Sequence, residues 1–123
     1  MSDLQSLRLL IVEDEYIVAE ELRRRLDEAG ARVVGPVPSV AAALTLVDED
    51  GVDGAVLDVN LGAEHAFALA DELLRRHLPF VFLTGYTRVN LPLRFSRVPL
   101  LEKPVDLDSL AEALSRARSM AQG

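Results

Sequence analysis

A chain of 123 residues has the length of one domain, and with half its residues hydrophobic, 27% charged and few aromatics it has the composition of a folded protein, not a disordered one. The absence of cysteine excludes a disulfide framework and a thiolate metal site, and a formal charge of −7 argues against binding that depends on neutralising nucleic-acid phosphates. The opening "MSDLQSLRLLIVEDE" has neither the charge pattern of a signal peptide nor the length of a membrane span, so a cytoplasmic protein with no membrane or nucleic-acid partner is expected.

The pattern is an alternation of short apolar runs with amphipathic stretches. "LRLLIV" (7–12) reads as a strand, followed by a helix from Glu15 to about Ala29 with Val18, Leu22, Leu26 and Ala29 inward, stopped by Gly30. "RRR" (23–25) on that helix reads as a solvated face among acidic neighbours. "ARVVGPV" is a second strand, and Ser39 is placed to cap a helix carrying Val40, Ala43, Leu44 and Val47. "GAVLD" (54–58) is a third strand, with a helix from about Glu64 to Arg76 whose apolar face is Phe67, Ala70 and Leu74. "PFVFLT" (79–84) and "VPLLEK" (98–103) give the fourth and fifth strands. Between them, Pro92 and poor periodicity in 86–97 allow only a short or irregular fourth helix. A last helix from near Asp106 carries Leu107, Leu110, Ala111, Leu114 and Ala117. Strands alternating with helices imply a doubly wound α/β fold: a five-stranded parallel sheet with helices on both faces.

In such sheets the functional crevice lies beyond the carboxyl ends of the strands. Those ends carry Glu13 and Asp14, Asp58, Thr84 and Lys103. Singly each has a structural explanation: an acid starting a helix, a turn residue, a strand-end hydroxyl, a solvated lysine. Together they demand another, since two carboxylates about 5 Å apart repel by roughly 3 kcal/mol at an effective dielectric near 20. A divalent cation would offset them, and oxygen-only ligands select Mg²⁺, which also takes phosphate oxygens. Asp58, ending an apolar strand beside that ion, reads as a nucleophile that forms an aspartyl phosphate.

At "IVEDE", "VLDVNLG", "FLTGY" and "LLEKP" the chain resembles the receiver domain of two-component response regulators, over almost its whole length (1–123). The resemblance implies a flavodoxin-like (βα)5 fold and a stand-alone, single-domain phosphoacceptor served by a sensor histidine kinase or phosphotransfer protein. It implies that Asp14, Asp58 and the backbone carbonyl of Asn60 bind Mg²⁺, with Glu13 acting through water. Thr84 would bond a phosphoryl oxygen, and Lys103 would pair with the phosphoryl group. The bond Lys103–Pro104 should be cis. The segment from Pro79 to Pro104 further resembles the FATGUY subgroup, with Leu83 where that motif has alanine. Leu100 occupies the place where the family usually has Tyr or Phe, so signalling through a rotating aromatic is not expected. Instead, ordering of segment 86–97 on phosphorylation is expected to carry the signal.

The expected function is phosphorelay signalling through a downstream protein partner, as a monomer or weak homodimer, with at most slow autodephosphorylation influenced by Asn60 and Tyr86. The alternative is a phosphorylation-independent interaction module of the same fold, which would usually lack part of the acidic pair, the acceptor or the lysine. A haloacid-dehalogenase-like phosphatase needs an Asp-x-Asp that "VEDEY" does not supply.

Overall fold

The computed structural model describes residues 4–85 and 90–122, with the side chain of Gln122 outside the description. Five parallel strands form the main sheet: β1 (Arg8–Val12), β2 (Arg32–Val37), β3 (Gly54–Asp58), β6 (Phe80–Thr84) and β7 (Leu100–Glu102), in the spatial order β2-β1-β3-β6-β7. The helices are α1 (Tyr16–Glu28), α2 (Val40–Asp50), α3 (Phe67–Arg75) and α4 (Leu107–Gln122). This is the flavodoxin-like arrangement expected from the sequence.

The strands are apolar without alternation because both sheet faces are covered. Leu10 and Val12 of β1 join Leu57, Phe82, Ala43, Val47, Leu69 and Leu73 under α2 and α3. Leu9 and Ile11 point the other way, to Val56, Val81, Leu22, Leu26, Leu110 and Leu114 under α1 and α4. Because the chain leaves β1 for β2 on one side and then crosses to β3 on the other, the loops after β1 and β3 diverge. That divergence opens a crevice at their carboxyl ends.

Local chemistry sets the helix ends. Gly30, at φ +94°, donates to Asp27 O at 3.0 Å while Ala31 donates to Leu26 O at 3.1 Å, closing α1 with a left-handed residue that favours glycine. Ser39 Oγ accepts from Ala42 N–H at 3.2 Å at the start of α2. Ser39→Ala is therefore expected to cost about 1 kcal/mol in chemical denaturation.

Several boundaries differ from expectation. α3 starts at Phe67, not Glu64: Glu64–His65 (β5) pairs antiparallel with Asn60–Leu61 (β4) in a small hairpin turning through Gly62 at φ +72°. The buried face of α3 is Leu69, Ala70 and Leu73, and Leu74 is exposed, because each helical step of about 100° carries it past the core edge. The fifth strand is only Leu100–Glu102. Within 90–97 a single 3₁₀ turn, Leu93–Phe95, follows Pro92 and buries Phe95 with ring centroids 5.6 Å from Phe67 and 5.5 Å from Phe82. Tyr86 and the rest of 86–89 lie outside the described residues, and the expected ordering of 86–97 falls partly on them. Lys103–Pro104 is cis, as expected, and Gly35–Pro36 is cis as well. Among the described residues no helix is long and apolar enough to cross a membrane.

Candidate functional site

Parallel register brings the strand ends to one level. Val12 pairs with Leu57, Asp58 with Leu83, and Thr84 with Glu102. Glu13 continues β1, donating its N–H to Val37 O at 3.0 Å, and Lys103 continues β7, donating its N–H to Thr84 O at 2.7 Å. Glu13, Asp58 and Thr84 are the buried polar side chains of the described residues, each at or below 5% exposure, which marks the site against an otherwise apolar interior.

The side chains converge on one ammonium. Lys103 Nζ lies 2.7 Å from Asp58 Oδ2, 3.2 Å from Glu13 Oε2 and 3.7 Å from Glu15 Oε1. The other oxygen of Asp58 accepts the Asn60 N–H at 2.9 Å, which fixes the plane of the carboxylate. Glu13 Oε1 accepts the Glu15 N–H at 3.2 Å. Asp14 is exposed, and the hairpin turn approaches it so closely that a Cβ at Gly62 would sit 3.1 Å from Asp14 Oδ2. A cleft of about 730 Å³ opens over Asp14, Asp58, Thr84 and Lys103.

The electrostatics show under-compensation. Burial pushes the Glu13 carboxyl up to about 8, helped by its hydrogen bond with Asp58 and the Asp58 charge, against the weaker pull of the Glu15 N–H and Lys103. Burial by itself would lower the Lys103 ammonium, but the bond to Asp58 and the charges of Asp58 and Glu13 outweigh it, so it stays charged above its usual range. One ammonium thus serves several carboxylates.

Glu13, Asp14 and Asp58 each offer an oxygen within 4.8 Å of the others, and the donors are all hard oxygens. That set fits Mg²⁺. The structure thus brings the sequence-derived residues Glu13, Asp14, Asp58, Thr84 and Lys103 to one rim, with Asn60 beside Asp58.

Two neighbours escaped sequence reasoning. Arg23 and Arg24 pair with Glu20, Glu21 and Glu28 on the helix surface, but Arg25 is half-buried and its Nη1 donates to Val105 O at 2.8 Å, tying α1 to the segment after Lys103. Its position three residues after Leu22 and one before Leu26, at the edge of the buried stripe, was the available signal. Glu15, read only as the start of α1, instead reaches Lys103.

Residues 9–115 match the family model for the response regulator receiver domain. The chain belongs to the response regulator receiver family. Receivers are signalling phosphoacceptors of two-component systems that bind Mg²⁺ at an acidic pocket, and in this receiver the acidic pocket is the cluster of Glu13, Asp14 and Asp58. The solution structure of SdrG from Sphingomonas melonis Fr1 is similar at 41% identity, covering 95% of this chain and 98% of that one, with a TM-score of 0.78. The beryllofluoride-activated conformation of SdrG, from Pseudomonas melonis Fr1, is also 41% identical over 92% of this chain and 98% of that one, with a TM-score of 0.76. A response regulatory protein of Yersinia pestis, described as uncharacterised, is 30% identical over 89% of this receiver. The chain spans about half, 48%, of the length of that curated relative.

Proposed function

We propose that this receiver accepts a phosphoryl group on Asp58 from the phosphohistidine of a sensor histidine kinase or phosphotransfer protein, in a Mg²⁺-dependent reaction. It then signals by contact with a downstream protein partner. The observation that carries this reading is the posture of Asp58: one oxygen held by the Asn60 N–H, the other 2.7 Å from Lys103 Nζ, both at the sheet's switch point under an open cleft.

An Asp58 carboxylate oxygen attacks phosphorus, the P–N bond to the imidazole breaks, and its electron pair returns to the ring nitrogen. Lys103 exchanges its bond to Asp58 for one to a phosphoryl oxygen, so positive charge is already where negative charge develops. Thr84, at the end of β6, offers its hydroxyl to a second phosphoryl oxygen. Asp14, Asp58 and the Asn60 carbonyl would hold Mg²⁺, with Glu13 beside them, and the ion would supply charge neutralisation for the carboxylates and the transferring group. The protein is a phosphoacceptor and not an enzyme acting on other molecules; Asn60 and Tyr86 would influence slow loss of its own phosphoryl group.

The chain works as one receiver domain of the FATGUY kind, a reading supported by its alignment with SdrG over 95% of this chain and 98% of that one. Incubation with a small phosphodonor and Mg²⁺ followed by intact mass tests the chemistry. One added phosphoryl group per chain is expected, and none would leave the phosphorylation-independent interaction module. Mg²⁺ binding to the unmodified protein should be weak, because few protein oxygens replace its waters. Asp14→Ala should weaken it further by about tenfold, ~1.4 kcal/mol, in a calorimetric or NMR titration; an unchanged titration would place the ion elsewhere.

A further inference from the structure

Glu15 occupies the N-cap of α1, where a side chain ordinarily accepts a helix N–H, yet it makes no such bond. Its Oε1 lies 3.7 Å from Lys103 Nζ instead. The preference of acidic groups for a helix start explains a charge at this position but not its direction, which is across the cleft. The side chain is 66% exposed and lines the same cleft as Asp58, Thr84 and Lys103. Because Lys103 Nζ is itself 2.7 Å from Asp58 Oδ2, at most the sum of the two contacts separates the Glu15 and Asp58 oxygens.

We infer that Glu15 is a charge filter at the mouth of the site: it disfavours small, multiply anionic phosphodonors and so biases the receiver toward a phosphoryl group presented by a protein. The inference rests on Asp58 being the acceptor. Glu15 adds one negative charge to a rim where Glu13, Asp14 and Asp58 already gather about the single Lys103 ammonium. A divalent ion offsets two negative charges of that rim, and loss of Glu15 removes one more whatever the protonation of Glu13. A dianion such as acetyl phosphate must enter past the exposed Glu15 charge that lines the cleft. A phosphohistidine on a docked protein is held by the rest of its interface, so the same repulsion changes its transfer less. An exposed pair at this distance stabilises the fold little, so neutralising Glu15 leaves the scaffold intact.

The test compares the wild-type protein, Glu15→Gln and Glu28→Gln, a neutralised exposed carboxylate at the far end of the same helix. Each is phosphorylated by acetyl phosphate, whose Asp58 product releases acetate as the P–O bond breaks, and by the less charged phosphoramidate, at low and high salt with saturating Mg²⁺. Intact mass gives the rates. Glu15→Gln is expected to react roughly three- to tenfold faster with acetyl phosphate at low salt, with a smaller gain for phosphoramidate and convergence at high salt. Glu28→Gln should match wild type. An equilibrium titration supplies a second readout: Glu15→Gln should bind Mg²⁺ a few-fold more weakly. Rates unchanged by Glu15→Gln, or raised equally for both donors at every salt concentration, would overturn the filter while leaving Asp58 as acceptor. A wild-type protein that gains no phosphoryl group from either donor would overturn the acceptor assignment, and the filter with it.

Discussion

Asp58→Asn is expected to abolish phosphoryl labelling while leaving the fold intact. The amide keeps an oxygen to accept the Asn60 N–H, whose 2.9 Å bond ends β3, but an amide is not a competent nucleophile toward phosphorus. No other carboxylate takes its place. Glu13 is turned toward Lys103 and the Glu15 N–H, and Asp14 lies out under the hairpin turn. Full labelling of the variant with Mg²⁺ and acetyl phosphate would sink the assignment. The same substitution should raise stability in the presence of a chelator. It removes the charge and hydrogen bond that help burial push Glu13 upward, and Lys103 keeps Glu13 at 3.2 Å as its partner. The melting temperature should rise by about 4 °C for each kcal/mol of repulsion relieved.

The fold and the rim were legible in the sequence because both rest on signals that run with the chain. A buried parallel strand must be apolar throughout, so a carboxylate closing one, as Asp58 closes "GAVLD", announces the strand's carboxyl end and faces the crevice. Gly30 and Ser39 were readable for the same reason: a helix end is satisfied by residues within a few positions of it. What stayed illegible depends on partners distant in sequence or on elements too short to have a period. The strands of the hairpin, Asn60–Leu61 and Glu64–His65, are two residues each, and Glu64, which fits a helix start by sequence, has its side chain accepting the Val40 N–H of α2 at 3.3 Å. Arg25 bonds a carbonyl 80 residues away, and within "RRR" its place at the edge of the Leu22–Leu26 stripe separates it from the surface Arg24 without naming that distant partner. Leu100, a departure from the family visible in the sequence, lies exposed on the edge strand β7.

Freed of divalent metal, the protein is expected to lose stability steadily as pH rises from about 5 to 8. The cause is Glu13, 4% exposed, whose carboxyl is pushed up to about 8 by burial first and then by Asp58. The direction follows from proton binding. Unfolded, the group titrates near its model value of 4.5; folded, it holds its proton to about 8, so between those values the native state carries the extra proton. Raising pH therefore favours the unfolded chain. Below pH 4.5 the raised value costs nothing, and above 8 the whole penalty is present. At about 1.4 kcal/mol per pH unit, the loss across pH 5 to 8 is of order 4 kcal/mol. The groups facing Glu13 set the size of the effect: Asp58 adds to it, while the Glu15 N–H and the Lys103 ammonium oppose it. Glu72 is held down at about 2 by Arg75 and Arg76 and titrates below this window, so it does not mask the slope. Urea denaturation in a chelating buffer at several pH values reads the effect directly. Glu13→Gln, which keeps the shape and cannot ionise, should flatten the curve, and Asp58→Asn should shift its midpoint toward acid. A wild-type stability that is flat or rising from pH 5 to 8 would show that Glu13 is ionised beside Lys103 throughout, and that the ammonium alone balances the rim without a cation.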